Sequence, residues 1–133
     1  MELILFPFER VIEINAFILE HEPGMKGSAD VNKLQGALGR IDNAIAYLGL
    51  DDVFEIAAKY AASIALSHSL PDANKRTGLA VALEYLSLND FELIADNELF
   101  ADAMRDLVLG DIDELDFADL LYAQYISEQS SKL

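Results

Sequence analysis

Cysteine and tryptophan are missing from this chain, and basic residues are scarce: nine lysines and arginines face 24 aspartates and glutamates. Without cysteine there are no disulfides and no thiolate metal sites, so stability has to come from packing. The formal net charge of −15 argues against direct nucleic-acid binding, because phosphate backbones attract proteins through compensating lysine and arginine. There is no uninterrupted apolar run of the roughly 18 residues that a membrane span needs. The apolar start from Met1 to Phe8 lacks the basic flank and small-residue cleavage site of a secretion signal. Neither membrane association nor export is expected, and the cytoplasm is the expected compartment.

What is abundant is hydrophobic side chain, 53% of 133 residues, enough for a single domain spanning residues 1–133 to bury a core without staples. Its periodicity is helical throughout. Phe8, Val11, Ile12, Asn15, Ile18 and Leu19 fall at spacings of three and four, giving a helix from about Phe8 to Glu20 that stops at Pro23-Gly24. A loop follows to Ala29. Asp30 caps a second helix whose stripe runs through Val31, Leu34, Ala37, Leu38, Ile41, Ala44, Ile45 and Leu48 to Gly49. Asp51 is the expected cap of a third, whose apolar residues run from Val53 to Leu66 and which is expected to continue to about Leu70, and Thr77 to Leu88 forms a fourth. Both are apolar nearly all round, which makes them the central buried pair. A short extended piece is expected at Phe91 to Ala95. Asp96 is expected to open a fifth helix closed by Gly110, and Asp113 or Asp116 a sixth, with a frayed tail from Glu128. The sum is an all-α bundle of about six helices. Eleven of the acids lie between Asp90 and Asp119, with Arg105 as the only cation among them; a solvated face is the expectation, and a docking surface for a basic protein segment the lesser alternative.

Little of this looks like chemistry except the loop joining the central pair: His68, Ser69, Leu70, Pro71, Asp72, Ala73, Asn74, Lys75 and Arg76. Pro71 disfavours helical backbone at Leu70, so the third helix ends near there, with His68 in its last turn. Asn74 or Asp72 is a fitting cap for the next. Lys75 and Arg76 then open a helix whose free N–H groups already form a positive end. Cations there oppose the dipole and call for an anion, and helix N-termini are ready phosphate sites. Asp72 is placed to share a Mg²⁺ with phosphate oxygens, since that ion usually takes one or two carboxylates plus phosphates. Asn74 can donate to phosphate as well. Histidine, ordinarily titrating near about 6.5, suits His68 to take a proton from an attacking hydroxyl. No Gly-rich phosphate loop competes with this segment, and a zinc site built on His68 and Asp72 would lack further ligands.

These residues resemble the signature of the Fic/Doc family: His, any residue, Phe, any residue, Asp or Glu, Gly or Ala, Asn, Gly or Lys, Arg. The version with Ala73, Asn74, Lys75, Arg76 and Thr77 is similar to the death-on-curing (Doc) toxin branch. The likeness extends to Pro23-Gly24, to Ala37-Leu38-Gly39-Arg40, to the Ala-rich third helix and to the stretch from Leu86 to Leu93. The resemblance implies a Fic fold and a role as the toxin of a bacterial toxin–antitoxin pair. It further implies that His68 is the base towards a protein hydroxyl, Asp72 the Mg²⁺ ligand, and Asn74, Lys75 and Arg76 the contacts to the phosphates of ATP. Most Fic enzymes transfer AMP and carry glycine where Lys75 stands. In the Doc branch the lysine accompanies a reversed nucleotide pose, with the γ-phosphate going to a threonine of elongation factor Tu.

Two departures separate the chain from that signature. Leu70 replaces the phenylalanine, keeping an apolar anchor of less defined shape, and Pro71 stiffens the position before Asp72. The self-inhibitory Fic motif is absent, since no glutamate precedes glycine or asparagine. Restraint then falls to a separate antitoxin. AMP transfer, and a catalytically weak module that mainly holds its antitoxin, are the alternatives to phosphate transfer.

Overall fold

Six helices and no strand make up the described part of the chain, residues 5–95 and 98–132 of a computed structural model. They are α1 (Phe8–His21), α2 (Val31–Tyr47), α3 (Val53–Leu66), α4 (Asn74–Leu88), α5 (Glu98–Leu109) and α6 (Glu114–Ser130). The all-α bundle expected from periodicity is the fold observed.

α3 is the axis. It packs against α2, α4, α5 and α6, while α1 closes the other side of α4. Small side chains make this possible: Ala57, Ala58 and Ala61 of α3 are fully buried beside Ile56, Tyr60 and Ile64. The closest approach is between α3 and α4. A Cβ added to Gly78 would lie 2.6 Å from the carbonyl oxygen of Ala61, so only glycine allows the backbones this near. A bidentate pair ties α1 to α4 at the surface: Arg10 donates from Nε and Nη2 to the Glu84 carboxylate at 2.7 and 2.6 Å.

Several helix ends differ from expectation, for local reasons. The cap of α3 is Asp52, whose Oδ1 accepts from the N–H groups of Phe54 and Glu55 at 2.9 and 3.0 Å; Asp51 is exposed. Composition cannot separate adjacent aspartates. The register follows from burying Val53 and Phe54. Asp52→Ala is therefore expected to cost about 1 kcal/mol and Asp51→Ala less than about 0.5 kcal/mol, measured by urea unfolding. At α6 both anticipated aspartates act together. Asp113 accepts from Asp116 N–H at 2.8 Å and Asp116 Oδ2 accepts from Asp113 N–H at 3.0 Å, closing a capping box.

The expected fraying from Glu128 is not seen. α6 runs to Ser130, and Glu128 is held by Gln124 and by the N–H of Ile94. Residues Phe91 to Ala95 are irregular, their inward side chains Leu93 and Ala95 being buried without a strand partner. Asp96, the expected opening of α5, lies outside the described residues. Gly110 does end α5, with φ +82. Every described acid between Asp90 and Asp119 is exposed or half-buried, in keeping with a solvated face. Among the described residues no helix is long and apolar enough to cross a membrane.

Candidate active site

The connection between α3 and α4 is short and irregular, and serines decide where it begins. Ser67 Oγ donates to Ile64 O at 3.0 Å and meets Ser69 Oγ at 2.7 Å. Such side-chain bonds compete with the helical ladder, and α3 stops at Leu66. His68 is consequently not in the last turn of the helix but beyond it, exposed, with φ +52. Ser69 O accepts from Asp30 N–H at 2.6 Å and the Leu70 side chain is buried, so an apolar anchor is retained where the family signature has phenylalanine.

α4 starts in an unusual way. Its cap position is neither Asn74 nor Asp72 but Ala73, at φ +59 and ψ +33, and no side chain caps the helix. Left-handed backbone at a non-glycine residue costs roughly 1–2 kcal/mol and persists where surroundings over-determine it. The first backbone bond of α4 is Thr77 N–H to Ala73 O at 2.8 Å. The N–H groups of Asn74, Lys75 and Arg76 belong to the set that a helix leaves without intrahelical acceptors. They face an end of the helix where the side chains in first position are an amide and two cations, an arrangement that favours an anion.

His68, Asp72, Asn74, Lys75 and Arg76 all line one cleft of about 320 Å³, closed on one wall by Ala65 of α3 and Val108 of α5. All five residues singled out in the sequence are thus brought to one place. His68 and Lys75 are exposed and make no hydrogen bond or ion pair among the described residues. Asn74 donates from Nδ2 to Leu70 O over a long 3.4 Å, while its Oδ1 is buried without a hydrogen-bond partner. That oxygen suits a cation or an N–H, and only Nδ2 suits a phosphate.

Asp72 and Arg76 are already engaged, each with at least one partner outside the loop. Asp72 Oδ2 accepts from Met25 N–H at 2.8 Å and Oδ1 from Ala73 N–H at 2.7 Å. Arg76 donates to Pro23 O at 2.9 Å and pairs with Glu22 at 3.3 Å. The segment from Glu22 to Met25 thereby lies across both side chains. It fits tightly at Gly24, where a Cβ would come within 2.7 Å of Leu19 Cδ2 and 3.3 Å of Asp72 Oδ2.

The two N–H bonds, Met25 first and then Ala73, hold the Asp72 carboxyl below the usual carboxylate range, with Arg76 adding to them. A carboxyl whose pKa is lower folded than unfolded stabilises the fold above its unfolded value, near about 4. That contribution is lost as pH falls through the folded value. A ¹³C NMR titration of the Asp72 carboxyl is expected to show a midpoint below that of aspartate in an unstructured peptide, moving up in Arg76→Gln.

Among the described residues no group of three or more His, Asp or Glu side chains converges on a metal position. A resident cage is not built here. A Mg²⁺ arriving with a nucleotide, bound by one carboxylate and by phosphate oxygens, does fit. Each Asp72 oxygen spends one lone pair on an N–H and keeps another, and Asn74 lines the same cleft.

Sequence reasoning missed Asn15, Glu22, Met25 and Thr77, all of which touch the loop. One signal was present: Asn15 is the lone polar residue in the apolar stripe of α1, and a buried amide needs partners. It has them in Asp72 O and Thr77 Oγ1.

Comparison with known proteins finds relatives of this chain. Residues 5–86 match the model of the Fic/DOC family. The chain is also 31% identical over 121 residues to the protein kinase doc of Escherichia phage P1, covering 91% of this chain and 95% of that protein.

Proposed function

The chain belongs to the Fic/DOC family, and from that premise we propose that it transfers the γ-phosphate of ATP to a hydroxyl of a target protein, as the toxin of a toxin–antitoxin pair. The observation that carries the reading is the position of Lys75. It is an exposed, unengaged cation in the first turn of an uncapped helix, lining the same cleft as His68 and Asp72.

In this reading phosphate oxygens lie against the N–H groups that open α4, with Lys75 and Arg76 neutralising their charge. Arg76 exchanges Glu22 and Pro23 O for phosphate. Asp72 holds the Mg²⁺ that accompanies the nucleotide, which when bound screens the phosphate charge. His68, on the loop at the mouth of the cleft, accepts the proton of the target hydroxyl. The hydroxyl oxygen bonds to the γ-phosphorus, the bond from that phosphorus to the bridging oxygen breaks, and ADP leaves. Such chemistry requires mainly positioning and charge stabilisation, and one short segment supplies both.

A glycine at position 75 would leave room for phosphate against the backbone, whereas lysine fills that room and offers a cation. Together with the likeness to the protein kinase doc of phage P1, this supports γ-phosphate transfer over AMP transfer. The proposed target is elongation factor Tu, and the proposed restraint is a cognate antitoxin. Incubation of the purified chain with ATP and purified elongation factor Tu, read by mass spectrometry, is expected to add a phosphate to a threonine of the factor. Addition of AMP instead would overturn the reading. An unmodified factor, with other proteins phosphorylated in a parallel incubation with bacterial lysate, would keep the reaction and change the target.

A further inference from the structure

From α1 the loop's backbone is held by a single amide. Asn15 sits in the middle of α1, only 4% exposed, among Val11, Ile14, Ile18 and Leu19. A primary amide there is costly unless its N–H groups are satisfied. Both are: Nδ2 donates to Asp72 O at 2.8 Å and to Thr77 Oγ1 at 3.0 Å. The two acceptors lie on either side of the left-handed residue Ala73, one before α4 and one in its first turn. One side chain therefore spans the place where the chain turns into the helix.

We propose that Asn15 is a positioning residue for the nucleotide site, fixing the Asp72–Ala73 peptide and through it the direction of the Asp72 carboxylate. The carbonyl of Asp72 has turned away from α4 towards α1, and the Asn15 amide gives it the partner it would otherwise lack. The same peptide carries the Ala73 N–H that binds Asp72 Oδ1 at 2.7 Å. Rotation of the peptide would carry the carboxylate with it. Asn15 does not line the cleft with His68, and the bonds of its amide end on the loop and on α4, so its route to the cleft runs through Asp72.

A role limited to joining α1 to α4 fits less well. That junction has its own fastenings in the Arg10–Glu84 pair and in buried Val11, Ile18, Val81 and Tyr85. Both bonds of Asn15 go instead to the loop and to the first turn after it. Thr77 is fully buried, so its hydroxyl has no exchange with bulk water to replace the bond.

The inference rests on the nucleotide reading above, and its test separates the two. Mn²⁺ binding is measured by electron paramagnetic resonance in the presence of a non-hydrolysable ATP analogue, for the wild-type chain and for Asn15→Leu, which keeps the volume and removes both N–H groups. Groups that orient a metal ligand are commonly worth ten- to a hundredfold in affinity, and a loss of about tenfold or more is expected, with cooperative melting retained. Affinity within about twofold of wild type in a folded Asn15→Leu protein overturns the proposal. Should that variant not fold, Thr77→Val decides. It leaves the amide one anchor, and about threefold weaker binding with unchanged melting supports the proposal while unchanged binding rejects it. A wild-type chain that fails to bind Mn²⁺ with the analogue removes the nucleotide reading and the positioning role together. One that binds both but transfers no phosphate leaves the positioning role standing and removes only the reaction.

Discussion

Replacing His68 with alanine or asparagine is expected to lower phosphate transfer to protein by about 10²- to 10⁴-fold, the usual contribution of a positioned base, and, for asparagine, to leave unfolding unchanged. The rate effect follows from placement: His68 is the only imidazole lining the cleft, on the same short loop as Asp72 and Lys75. The absence of a stability effect follows from its surroundings, because the side chain is exposed and makes no hydrogen bond or ion pair among the described residues. Its backbone is left-handed, and asparagine tolerates that conformation better than alanine. Asparagine is therefore the cleaner variant, and agreement between the two excludes a backbone artefact. Initial rates with ATP and a protein acceptor, alongside thermal melting, decide the matter. A His68→Asn protein with wild-type rates would show that the base lies elsewhere. Growth arrest that persists on overexpressing that variant would favour the binding-module reading instead.

Gly78→Val destabilises the protein by about 3 kcal/mol, the upper end of what forcing extra carbon into a filled core usually costs. The added Cβ would meet the Ala61 carbonyl at 2.6 Å, and the next nearest atoms are the Ala61 carbonyl carbon and Met104 Cε, both at 3.4 Å. A flexible side chain could swing aside, but a helix backbone cannot, so α3 and α4 would have to separate along the core. Alanine is the milder test. It recovers about 1 kcal/mol of helix propensity, so its net cost is smaller than that of valine. Because the active-site loop joins these two helices, both variants are expected to weaken activity even where they remain folded. Urea unfolding with an unchanged slope but a lowered midpoint is the expected signature. A Gly78→Ala protein as stable as wild type would show that the helices are not in contact as described.

These two positions also mark how far sequence reasoning reached. The stripe of α2 and the apolar circumference of α3 specified helices and their burial, since both depend on period alone. The five candidate site residues could be singled out because they fall within nine positions of one loop, where no long-range folding is needed to bring them together. α3 ends sooner than Pro71 requires because the hydroxyls of Ser67 and Ser69 bond locally and stop the helix at Leu66. The cap of α3 was misplaced because two aspartates stand side by side, and that of α4 because the cap position falls on Ala73, between the two polar candidates. What could not be read was anything that reaches the loop from α1. Asn15 meets Asp72 across 57 residues, Arg76 meets Pro23 across 53, and no local pattern encodes such pairings. The lone asparagine in an apolar stripe was their one trace.

The central claim is that the loop between α3 and α4 delivers the terminal phosphate of ATP to protein. Its most direct test uses two ATP preparations, one labelled at the γ-phosphate and one at the α-phosphate, each incubated with the purified chain and a bacterial lysate. Label is expected on protein only from the γ-position, and is expected to vanish with His68→Asn. Label on protein only from the α-position would contradict the claim and assign the loop to AMP transfer.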